Sequence, residues 1–161
     1  MKFTDKLLDS SRRNNSLLCI GLDPDPRQMP PVGILHFTKA IVEATSDLVC
    51  AYKPNFAFFE AQGIDGIQAL ADIIKFVPSH IPVIADAKRG DIGNTSRAYA
   101  VAVFESLGCD AVTVSPYLGF DSVQPFLEYE DRGVFILCRT SNRGAADFQD
   151  ISDAGGRPLY E

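Results

Sequence analysis

Apolar positions fall into short continuous runs, each ending in a polar or charged residue. The runs are Leu17 to Asp23, Leu48 to Tyr52 with Lys53 at its end, the stretch opening at Ile81, Ala111 to about Ser115, and a last one from Gly133 through VFILCRTSN. Runs of four to eight apolar, β-branched-rich residues bounded by turn signals read as strands buried on both faces of a parallel sheet. Between them the period lengthens to that of an amphipathic helix. Ile34, Phe37, Ile41 and Val42 share one face. A second helix is expected from Asp65, with Gln68 completing a capping box, to a stop at Pro78. A third is expected from about Thr95 to Gly108 as its C′ residue, and a fourth capped by Asp121 and Gln124. Ahead of all these, Phe3, Leu7 and Leu8 predict a short helix capped by Thr4 and ending near Ser10 to Asn15, covering one end of the structure. From Gly144 onward no periodicity supports a further strand.

Five strands alternating with four helices at intervals of roughly 25 to 35 residues mark successive βαβ units. Asp23, Lys53, Asp86, Lys88, Ser115, Thr140 and Ser141 all fall at the carboxyl ends of strands, on one rim. That pattern suits a (β/α)₈ TIM barrel better than an open sheet. A dinucleotide-binding sheet loses its main support because GLDPDPR stands where a glycine-rich fingerprint would follow the first strand. A full barrel takes about 250 residues, so residues 1–161 are expected to form a single domain supplying about the first five strands.

Composition narrows the function. The chain has 161 residues, 46% of them hydrophobic and 22% charged, with a net charge of −6, which predicts one globular domain and disfavours nucleic acid as a partner. No run approaches a membrane span, and the amino terminus lacks the apolar core of a signal peptide, so a cytoplasmic protein is expected. Cys19, Cys50, Cys109 and Cys138 lack C-x-x-C spacing and read as reduced, buried small hydrophobes. His36 reads as an ordinary helix residue.

The chemistry concentrates in IPVIADAKRGDIGNT, Ile81 to Thr95. Asp86 and Lys88 are two apart on an extended chain, so their side chains leave the same face. Asp91 lies beyond Gly90, where the strand is over. Two acids and a base thus gather at the carboxyl end of a buried strand, where α/β folds carry their chemistry.

VIADAKRGDIGNTS, with its D-x-K-x-x-D-I core and following Thr95, resembles the signature of the orotidine 5′-phosphate decarboxylase family. GLDPDP after the first strand, YKPN after the second and TSN after the fifth resemble the shorter bacterial-type branch of that family, in the family's order. The resemblance implies conversion of orotidine 5′-phosphate to uridine 5′-phosphate and carbon dioxide in de novo pyrimidine synthesis, with no cofactor and no metal. It implies a charged tetrad of Lys53, Asp86, Lys88 and Asp91, with Lys88 protonating C6 of the pyrimidine. Asp23 and Lys53 would hold ribose hydroxyls, and Ser141 would meet the pyrimidine ring. Asp91 and Thr95 would reach into the partner's site, so the resemblance implies a homodimer. The family's phosphate grip follows its later strands, and nothing in these residues aligns with it. Two rival readings remain: a Mg²⁺-dependent sugar-phosphate decarboxylase or aldolase of the same superfamily, and an inactive barrel remnant. The first is opposed by Lys53, a cation where the magnesium-dependent relatives carry an acid.

Overall fold

Each strand lies parallel beside the strand that precedes it in the chain. The computed structural model describes residues 1–161 and contains β1 (Cys19–Leu22), β2 (Ala51–Pro54), β3 (Ile84–Arg89), β4 (Ala111–Val114) and β5 (Gly133–Ile136). β1 pairs with β2, and β3, β4 and β5 pair in that order. Parallel bridges Tyr52–Val83 and Asn55–Asp86 join the two groups. Five neighbouring parallel strands in sequence order are what consecutive βα units produce.

The helices are α1 (Phe3–Asn14), α2 (Ile34–Thr45), α3 (Phe56–Glu60), α4 (Gly63–Phe76), α5 (Gly93–Val101) and α6 (Gln124–Leu127), with a single π turn over Ala102–Ser106 extending α5. No helix is long and apolar enough to cross a membrane. One face of the sheet packs against helices: Tyr52, Ala85, Val112 and Val114 share a core with Phe59, Leu70, Ile73 and Phe104. Ala51, Ile84 and Ala111 form a separate small cluster with Phe3 and Leu7 of α1. Helix α1 therefore covers the amino ends of the strands. Phe3 is buried there, a burial worth about 1.5–3 kcal/mol, and its ring meets Phe135 edge-on at 5.8 Å. Gly133 makes this approach possible, since a Cβ on it would lie 2.5 Å from Phe3 Cδ1 and 2.8 Å from Ala111 Cβ.

Several local expectations are corrected. Thr4 is not a cap: α1 starts at Phe3, its N-cap position is Lys2, and no side chain caps it. The helix ends at Asn14, within the expected stretch, and Asn14 Nδ2 donates to the Ser46 and Val49 carbonyls at 2.8 Å. The Asp65–Gln68 capping box does not form, because α4 begins earlier, at Gly63, and Gln68 bonds Asp72 one turn on. Asp121 and Gln124 cap nothing; Asp121 lies inside a 3₁₀ turn, and α6 is four residues long. α3 was not expected, being short and started locally by Asn55, whose side chain accepts the Ala57 N–H. β5 ends at Ile136, well before Ser141. All four cysteines are free, but only Cys50 and Cys109 are buried. Cys19 belongs to a strand with a neighbour on one side only, and Cys138 follows the end of β5.

Candidate active site

Tyr52, Ala85 and Val112 face the helices, so their neighbours Lys53, Asp86 and Thr113 face the other way, one per strand. Asp86 is buried, and each of its oxygens takes one ammonium. Lys53 Nζ donates to Oδ2 at 2.6 Å and Lys88 Nζ to Oδ1 at 2.5 Å. Burial alone would raise the Asp86 pKa, but the hydrogen bonds and charges of Lys53 and Lys88 outweigh it and hold the carboxyl below its ordinary range. Two cations around one anion leave the cluster with a surplus positive charge. It can accept an anionic ligand, and Lys88, half-exposed, carries a proton at the open side.

Lys88 reaches this position through an irregular strand. Ala85 pairs with Val112 and Arg89 with Val114, so three residues of β3 oppose the single residue Thr113 of β4. Within this bulge Lys88 has φ +45°, a left-handed conformation that non-glycine residues rarely adopt and that clusters at functional sites. Regular pairing resumes where Ser115 N–H donates to the Arg89 carbonyl at 2.7 Å. Gly90 follows at close quarters, since a Cβ there would stand 2.6 Å from the Ser115 carbonyl oxygen. On the helix side, Arg89 pairs with Glu60 and lies between the rings of Phe56 and Tyr99.

The remaining expected residues divide. Asp23 lies beside the cluster, accepting from Asn55 Nδ2 at 2.8 Å, and the Asn55 backbone bridges to Asp86. Asp91 does not join: its carboxylate accepts the Ile92 N–H at 2.7 Å, and no ion pair links it to Lys53 or Lys88. Thr95 sits exposed in the first turn of α5. Ser141 is exposed in the loop beyond β5, where its neighbour Thr140 is tied to Gln149. Two residues of the cluster were not anticipated, Thr113 and Asn55. Thr113 left a signal, a hydroxyl in the inward phase of the apolar run AVTVS.

A family model described as orotidine 5′-phosphate decarboxylase / HUMPS family matches residues 16–158. The chain belongs to this family. The orotidine 5′-phosphate decarboxylase of Dehalococcoides mccartyi strain 195 is 60% identical over 151 residues, covering 92% of this chain and 56% of that protein. The orotidine 5′-phosphate decarboxylase of Cellvibrio japonicus is 52% identical over 170 residues, covering 100% of this chain and 62% of its own length. The solved structure of Leishmania donovani OMP decarboxylase superposes with a TM-score of 0.89 at 46% identity, over 99% of this chain and 62% of that one. The chain thus spans little more than half the length of these decarboxylase relatives. Its fold is the α/β arrangement of decarboxylase-family TIM barrels, with five parallel strands present.

Proposed function

We propose that this chain carries the decarboxylating centre for orotidine 5′-phosphate, producing uridine 5′-phosphate and carbon dioxide. The observation that carries this reading is the Asp86 carboxylate held between two ammonium groups, one of them on a proton-bearing lysine at the open side. Breaking the bond from C6 to the carboxylate leaves the electron pair on C6, in an orbital the ring does not delocalise. A fixed cation beside C6 stabilises that pair, and transfer of a Lys88 proton completes the C6–H bond. Solvent then reprotonates Lys88.

Asp86 orients the Lys88 ammonium through the bond from Nζ to Oδ1. Its own repulsion of a substrate carboxylate is a smaller effect. Two like charges at 4 Å repel by about 4 kcal/mol at an effective dielectric of 20, roughly three decades of rate. Preorganised charge and binding energy from remote parts of the substrate must supply the rest. Asp23, hydrogen-bonded to Asn55 beside Lys53, is suited to ribose hydroxyls. Ser141 would meet the pyrimidine ring.

Asp91 and Thr95, which lie outside the cluster of their own chain, would complete the site of a second copy in a homodimer. The enzyme would work in the cytoplasm without a metal or cofactor. A magnesium-dependent chemistry is disfavoured by charge: both oxygens of Asp86 are already occupied by ammonium groups, which repel a divalent cation. The test is release of labelled carbon dioxide from carboxyl-labelled orotidine 5′-phosphate by a complete enzyme carrying this segment. Release that disappears in Lys88→Ala supports the reading, and no release above the uncatalysed background overturns it.

A further inference from the structure

The bulge that presents Lys88 is held by one hydroxyl on the neighbouring strand. Thr113 Oγ1 accepts the Ala87 N–H at 3.1 Å and the Lys88 N–H at 3.0 Å. Its own proton has two acceptors in reach, Asp86 Oδ1 at 3.2 Å and the Ala85 carbonyl at 3.5 Å. A hydroxyl has two lone pairs and one proton, so donation to Asp86 uses its full capacity. In a regular parallel ladder, strand N–H groups would meet carbonyls of the neighbouring strand. Here three residues of β3 face one of β4, and the two surplus N–H groups turn to a side chain instead.

We infer that Thr113 is a positioning residue for the Lys53–Asp86–Lys88 cluster. Its hydroxyl closes the bulge by capping two successive backbone N–H groups, which stabilises the left-handed conformation of Lys88. The same hydroxyl fixes the Asp86 oxygen that Lys88 binds. Backbone and side chain of the proton donor are thereby set by one atom. A valine at this position keeps the shape of threonine but offers the two N–H groups no acceptor and Asp86 no donor. Serine supplies the hydroxyl without the methyl group. The inference rests on the decarboxylase reading for its catalytic half and on geometry alone for its structural half.

The test compares Thr113→Val and Thr113→Ser with the unaltered chain, following amide hydrogen exchange by nuclear magnetic resonance and turnover of orotidine 5′-phosphate. In Thr113→Val the Ala87 and Lys88 amides should exchange at least about ten times faster, while Val83 and Val112 keep their protection. The kcat should fall about 10- to 100-fold, the effect of losing a hydrogen bond to a charged group, with KM little changed. Thr113→Ser should restore both. Unchanged exchange at Ala87 and Lys88 overturns the inference whatever the activity. Faster exchange with unaltered kcat also overturns it, since Thr113 would then be structural only. If no form, including the unaltered chain, turns over the nucleotide, the decarboxylase reading fails, and the exchange comparison still decides whether Thr113 sets the bulge.

Discussion

Lys88 stands two residues beyond Asp86 on one strand and binds back to it, Nζ to Oδ1 at 2.5 Å. Two residues of a regular strand span almost 7 Å, and the bulge with its left-handed Lys88 accompanies this return. The ammonium is thus tethered to its own strand neighbour, while Lys53 approaches the same carboxylate from β2.

In a complete enzyme carrying this segment, Lys88→Ala is expected to abolish product formation while leaving nucleotide binding measurable. The mutation removes the proposed proton donor, whereas Asp23, Lys53 and the remaining contacts persist. Titration of the variant with uridine 5′-phosphate, alongside a turnover assay, checks this. Normal turnover would remove Lys88 from the mechanism.

Acid should weaken the fold through carboxylates held ionised. Asp25 accepts hydrogen bonds from the Arg27 side chain and backbone, which lower its pKa from 3.8 to about 2. Asp86 is also lowered, with Lys53 and Lys88 outweighing burial. A group whose folded pKa is depressed stabilises the fold above its unfolded pKa, and that contribution is lost as pH falls towards the folded value. Denaturant unfolding between about pH 4 and 2 should therefore show stability declining with pH. Asp25→Asn should flatten that decline and leave the neutral-pH activity in place. An unchanged slope would show that Asp25 is not held ionised by Arg27.

Gly133→Ala should destabilise the chain by about 1–3 kcal/mol, the usual penalty of overpacking. The added methyl group would meet Phe3 and Ala111 together, so relief requires moving α1 off the strands. Urea unfolding measures the loss. A stability equal to that of the unaltered chain would mean that α1 is free to shift.

The proposed shared site can be tested by complementation in a complete enzyme carrying this segment. Lys88→Ala and Asp91→Asn, each nearly inactive alone, should regain activity when mixed and exchanged, because one site of each heterodimer then holds neither defect. Random pairing returns about a quarter of all sites to native composition by two-fold symmetry. Heterodimers confirmed by mass but no more active than their parents would show that Asp91 does not act across an interface.

Continuous apolar runs make the five strands legible, and period-two spacing brings Asp86 and Lys88 to one strand end, but the bulge and left-handed Lys88 that actually close the pair are not regular alternation. The role of Lys53 is half legible: a lysine at the end of a buried strand asks for a partner, but which carboxylate it meets depends on the neighbour order of β2 and β3. Thr113 shows in the sequence only as a hydroxyl in the inward phase of AVTVS, because the role inferred for it arises from register, three residues against one, which no local pattern encodes. Helix starts at Thr4, Asp65 and Asp121 mislead for another reason. Side chains able to cap are common in loops, and packing decides where the first turn forms.

The docking of α1 also has a consequence for the order of events during synthesis. Lys6 binds both oxygens of Asp110 at 2.8 Å, although the two residues lie 104 positions apart, and Phe3 N–H donates to the still later Asp131 carbonyl. At about 5–20 residues per second, Lys6 is made roughly 5 to 20 seconds before Asp110. During that interval Phe3 and Leu7 can meet Cys50, Ala51 and Ile84 as these are made, but the cluster stays incomplete without Ala111. The α1 segment, made before all five strands, must therefore be among the last to settle.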